Sequence, residues 1–62
     1  MRRYEIVIEK MDEEFEIIEQ TNSLEKAIEI VKKIPKENYK AIFINQIGED
    51  DRLLKQIEIE VR

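Results

Sequence analysis

The sequence predicts a two-layer α+β domain of ββαββ type, one four-stranded sheet with a single helix packed on one face. Three observations predict it. Apolar residues alternate at period two in three short stretches, the signature of half-buried strands, and a fourth stretch, Tyr39 to Ile47, is the most apolar run. One central stretch repeats instead at helical spacing, behind capping residues and ahead of the single proline. The acid-rich tetrapeptides Met11–Glu14 and Gly48–Asp51 separate the first two and the last two strand-like stretches.

From Arg3 to Lys10, the residues Tyr4, Ile6 and Ile8 alternate with Arg3, Glu5 and Glu9. Phe15 to Gln20 alternates again, with Phe15 and Ile17 as its apolar side. A two-residue closure at Asp12-Glu13 sets Ile8 opposite Ile17 and Lys10 opposite Phe15, keeping both apolar sides on one face. Thr21-Asn22-Ser23 then offers N-cap side chains. With Asn22 as cap, Glu25 stands at N3 and completes a capping box; Ser23 is an equally permissible cap. Leu24, Ala27, Ile28, Val31 and Ile34 follow at helical spacing, with Ile30 flanking the stripe. Glu29 and Lys33 form an i,i+4 pair on the wet side. Pro35 ends the helix near Ile34, where Lys32, Lys33 and Lys36 suit the negative end of the macrodipole. Tyr39 to Ile47 is the most apolar run, and Leu53 to Val61 is the last strand, with Ile57, Ile59 and Val61 alternating against Glu58 and Glu60. The expected inner face is Tyr4, Ile6, Ile8, Phe15, Ile17, Ile42, Ile44, Ile57, Ile59 and Val61; an inverted strand 3, with Ala41, Phe43 and Ile47 facing the helix and Ile42 and Ile44 exposed, is the alternative. No linker, repeat or low-complexity stretch interrupts residues 1–62, read as a single domain.

A helix of about twelve residues spans ~18 Å, roughly one strand length, so strand 3 runs parallel to strand 2. Two sheet orders satisfy this, 2-1-4-3 and 2-1-3-4. The first is preferred and resembles, in element order and length, the β-grasp arrangement of the small immunoglobulin-binding bacterial domains. No binding motif of that family is present to carry over. The apolar character of strand 3 argues for the second order, because central strands are buried most. Either order puts the two acidic turns at opposite ends of the sheet.

Composition narrows the function classes. With 62 residues there is room for one core, and domains this short bury only ~60% of their unfolded surface. Cysteine and histidine are both absent, which removes disulfides, thiolate sites and the usual metal ligand and general base. No apolar run approaches the ~20 residues needed to cross a bilayer, and no signal-peptide segment follows Met1. The chain is therefore expected to be complete, mature and cytoplasmic, as the lack of cysteine also suggests. Charged residues make up 42% and the net charge is −4, which disfavours general nucleic-acid affinity. The Glu/Lys/Ile-rich composition suits a thermophile, an AT-rich genome or a computationally designed scaffold without biological function. Its single glycine argues mildly against idealised design, which usually places glycine in hairpin turns.

No catalytic, cofactor-binding or metal-binding residue is assigned. Ser23 has no histidine to activate it and reads as a helix cap. The carboxylate pairs Glu13/Glu14, Asp50/Asp51 and Glu58/Glu60 read as solvated charge, since a general acid needs a pocket that shifts its pKa. Glu49-Asp50-Asp51 lacks the alternation of a calcium loop. The basic cluster Lys32, Lys33, Lys36 and Lys40 has no interleaved aromatic residue to stack bases. What remains is an apolar residue from each strand on the open face of the sheet: Val7, Ile18, Phe43 and Leu54. Ala41 shares that face, Met11 borders it, and Val7 is expected opposite Ile18. A stripe of this kind marks a partner or dimer surface. The expected function is a non-enzymatic interaction module that binds a protein partner or a second copy of itself through this face. Nucleic acid, membrane and small-molecule partners are not expected, and neither is a cofactor. Charges at Lys10, Glu14, Glu16 and Glu19 are expected to guard the strand 2 edge. A second reading, an acidic protein similar to phage-encoded inhibitors of nucleic-acid-handling enzymes, would use Glu5, Glu9, Glu16, Glu58 and Glu60 on the outer face.

Overall fold

The computed structural model describes residues 3–61, with side chains through residue 60. The elements are β1 (Arg3–Glu9), β2 (Phe15–Thr21), α1 (Leu24–Lys32), a 3-10 turn over Lys36–Asn38, β3 (Ala41–Ile47) and β4 (Leu53–Val61). They form one antiparallel sheet of order β2-β1-β3-β4 with the helix on one face. The preferred order 2-1-4-3 is thereby corrected to its alternative, and the β-grasp likeness goes with it. Burial explains the outcome. Ile42 and Ile44 are fully buried, and β3, the most apolar strand, takes a central place where both of its neighbours cover it. Because β2 and β3 are each antiparallel to β1, they run parallel to one another, as the length of the helix requires.

Ser23 caps α1, its hydroxyl accepting from the Lys26 amide at 3.4 Å. This places Lys26 at N3, so Glu25 forms no capping box. The helix stops at Lys32, and the chain bends into the 3-10 turn behind Pro35. The helix buries Ala27 and Val31, with Ile30 and Ile34 packed beside them, while Leu24 and Ile28 stay exposed. The buried stripe thus lies at i, i+3, i+4 and i+7, rotated slightly from the sequence expectation. Beneath it lie Ile6, Ile8, Ile42 and Ile44, flanked by Tyr4, Ile18 and Ile57. Tyr39, which precedes β3 instead of beginning it, is 2% exposed, and its hydroxyl donates to Glu60 Oε2 at 3.0 Å.

Both hairpins close with the same three-residue loop. In the first, the Glu13 amide donates to the Lys10 carbonyl and the Lys10 amide to the Glu14 carbonyl; in the second, Asp51 donates to Gly48 and Gly48 to Arg52. The third loop residue is left-handed in each, Glu13 at φ 69° and Asp51 at φ 63°. An aspartate at the second position, Asp12 or Asp50, accepts from the amide two residues on. This geometry is the common three-residue hairpin, a type I turn completed by a left-handed residue. The expected two-residue closure is corrected, and the difference of one residue has consequences for the sheet faces.

Candidate interaction surface

The longer loop slips β2 by one residue against β1. Phe15 pairs with Glu9 and Ile17 with Val7, so Phe15 and Ile17 turn to the open face instead of the core. A bulge at Ile18 then restores the expected register, with Ile6 opposite Glu19 and Glu5 opposite Gln20. Ile18 packs against the core, so it leaves the expected open-face set. β4 carries two further bulges, at Leu54 and Ile59. The bulge at Ile59 leaves that side chain exposed and puts Glu60 opposite the buried Ile42. Val61 pairs with Ala41 through its backbone, and its side chain lies outside the described residues. Leu54 is exposed beside Gly48 and, with Glu49 and Asp50, lines a shallow pocket at the second turn. Of the four residues expected on the open face, the structure brings Val7 and Phe43 together as a cross-strand pair, moves Ile18 to the core and sets Leu54 at the far turn.

The register orders the open face into rows that run across the sheet. The first row is Phe15, Glu9 and Ala41; the second is Ile17, Val7, Phe43 and Glu58. Phe15 is 63% exposed and Ile17 52%, while Val7 and Ala41 are buried between their neighbours. The Phe15 and Phe43 rings meet diagonally, centroids 6.4 Å apart, within the range of favourable aromatic pairs. The third row, Gln20, Glu5, Asn45 and Gln56, is wholly polar and internally bonded. Gln20 Nε2 donates to Glu5 Oε2 and Gln56 Nε2 to Asn45 Oδ1, both at 3.0 Å. The fourth row holds Arg3, Ile47 and Leu53. Arg3 Nη1 donates to Asp51 Oδ1 at 2.7 Å, and its Nε lies 3.9 Å from Glu5 Oε2. Next to the first turn the open face is therefore apolar, bounded by Glu9 and Glu58; its middle row is polar, and the row next to the second turn sets Arg3 beside Ile47 and the exposed Leu53.

Phe15 and Ile17 were missed as surface residues because they look like the inner side of a well-alternating strand. The usable signal was the loop: Asp12 followed by two acids suits an Asx turn with a left-handed residue, hence three loop residues. The acidic groups are dispersed by the same register. Glu16 pairs with Ile8 and Glu60 with Ile42, on the helix side, where Lys10 Nζ lies 3.6 Å from Glu16. Glu5, Glu9 and Glu58 share the open face, separated by Val7 and Phe43. The two acidic turns sit at opposite ends of the sheet. Lys40 Nζ contacts Glu13 at 3.4 Å at one end, and Arg3 holds Asp51 at the other. Among the described residues no cluster of three or more acidic side chains is arranged to hold a metal ion, and no helix is long and apolar enough to cross a membrane.

No protein family, curated protein or solved structure matches the chain.

Proposed function

We propose that the protein is a non-enzymatic interaction module whose binding surface is the apolar end of the open sheet face, next to the first turn. The observation that carries this reading is the pair Phe15 and Ile17. Both are more than half exposed, and they continue the Val7–Phe43 pair into one patch. The three-residue loop is what turns them outward, the bulge at Ile18 confining the slip to this end of β2, and apolar side chains aimed at solvent carry a cost that burial against a partner would offset. Leu24 on the helix and Leu54 at the far turn, also exposed, are separated from this patch. The lack of cysteine favours a reducing compartment as its setting. An inhibitor that imitates nucleic-acid phosphates is less well supported, because the carboxylates divide between two faces.

Ile17→Lys tests the reading. Ile17 is half exposed, so the variant is expected to fold with unchanged circular dichroism. Complexes recovered from cell extract by the wild-type protein, or self-complexes seen by sedimentation, should be lost with Ile17→Lys and kept by Leu24→Lys on the helix. Identical behaviour of wild type and Ile17→Lys in both measurements overturns the proposal.

A further inference from the structure

We infer that the apolar row is covered by a different protein, one that presents an apolar side chain flanked by lysine or arginine, and not by a second copy of this chain. The inference rests on the open-face reading above and names the partner's chemistry. Two carboxylates bound the patch: Glu9 stands between Phe15 and Ala41, and Glu58 ends the row Ile17–Val7–Phe43. Neither forms an ion pair with a described residue. Three cations of the sheet and its turns are paired elsewhere, Arg3 with Asp51, Lys40 with Glu13 and Lys10 with Glu16.

Two-fold stacking of this face on itself fails on charge. If the row is laid on its own image with each residue over its counterpart, Glu58 meets Glu58 of the second copy. If the row is reversed, Glu58 lies over Ile17 of the second copy. Either way Glu58, at the end of the row, faces a like charge or an apolar side chain and gains no cation, which is unfavourable. Shifting the sheets until Arg3 meets Glu9 of the second copy relieves the charge, but it sets the apolar row on the polar row of Glu5 and Asn45. A surface with cations beside an apolar group satisfies all three elements at once, and complementary charge at the rim would also raise the association rate.

The test uses two synthetic peptides of equal length, a lysine–leucine repeat and a glutamate–leucine repeat, titrated into isotopically labelled full-length protein. Amide shifts should cluster at Val7, Phe15, Ile17 and Phe43 with the lysine peptide only. The double variant Glu9→Gln/Glu58→Gln should weaken that binding by about tenfold. Glu25→Gln/Glu29→Gln on the helix changes the net charge equally and should leave it nearly unchanged. Equal weakening by both double variants reduces the effect to net charge and overturns the inference. Shifts that map elsewhere, or no binding by the lysine peptide, overturn it as well. A mass that doubles with concentration, and does so only while Ile17 is intact, would overturn this inference yet leave the open-face reading standing.

Discussion

Glu13 and Asp51 both occupy the left-handed region that glycine tolerates best. An L-residue there is disfavoured by roughly 1–2 kcal/mol. Glycine loses about 0.5–1 kcal/mol of that advantage through its freer unfolded chain. Glu13→Gly should therefore stabilise the fold by about 0.5–1 kcal/mol, raising Tm by several degrees in a domain of this size. Each variant also removes an exposed ion pair of a kind that contributes up to ~1 kcal/mol, Glu13 with Lys40 at 3.4 Å and Asp51 with Arg3 at 2.7 Å, and Asp51→Gly should gain less because its pair is the closer one. Chemical denaturation of the two variants side by side measures the difference. A loss of stability in Glu13→Gly larger than the ~1 kcal/mol an exposed ion pair contributes would show that the left-handed residue carries no strain. The one glycine, Gly48, takes no such conformation; it opens the second turn against the side chain of Leu54.

At the level of elements, the edge strands carry every irregularity of the sheet. β2 has its bulge at Ile18, and β4 has bulges at Leu54 and Ile59, while β1 and β3 pair without interruption. Bulged, charge-flanked edges resist pairing with other chains, so the fold guards its edges and leaves one face open. The Ile17–Ile18 pair makes this measurable. Ile18 packs against the core and Ile17 does not. Ile18→Ala is expected to cost about 1–2 kcal/mol, and Ile17→Ala less than about 0.5 kcal/mol. Urea denaturation distinguishes them, and equal losses would mean that the bulge lies elsewhere in β2. The strand boundaries were legible in the sequence to within two residues. The bulges were not, because an extra residue in one strand is decided by its partner strand and by the loop that joins them.

For the molecule as a whole, the consequence of the order β2-β1-β3-β4 is that the two apolar strands sit side by side at the centre of the sheet. Nuclear Overhauser contacts between backbone protons of β1 and β3, around Ile6–Ile44 and Ile8–Ile42, are the expected signature. Contacts between β1 and β4 in their place would restore the order 2-1-4-3. The same order gives the outer side its polarity. Pairing Val7 with Phe43 joins the apolar groups of the two hairpins, whereas pairing Glu5 with Asn45 joins their polar groups. The patch is thus a property of both hairpins together. Neither hairpin alone assembles it, since Phe15 and Ile17 come from the first and Phe43 from the second.

By itself the sequence determined the element order, the helix and its end ahead of Pro35, the inner positions of Ile6 and Ile8, and the separation of the acidic turns, while the buried face of β3 was left between Ile42/Ile44 and Ala41/Phe43. Each of these follows from local period, capping or chain length. The tertiary structure alone decided which strand lies beside β1, and which way Phe15, Ile17, Ile18 and Ile59 point. Those choices turn on single-residue register, and register is set by non-local backbone pairing that a period-two pattern reads equally well in two phases.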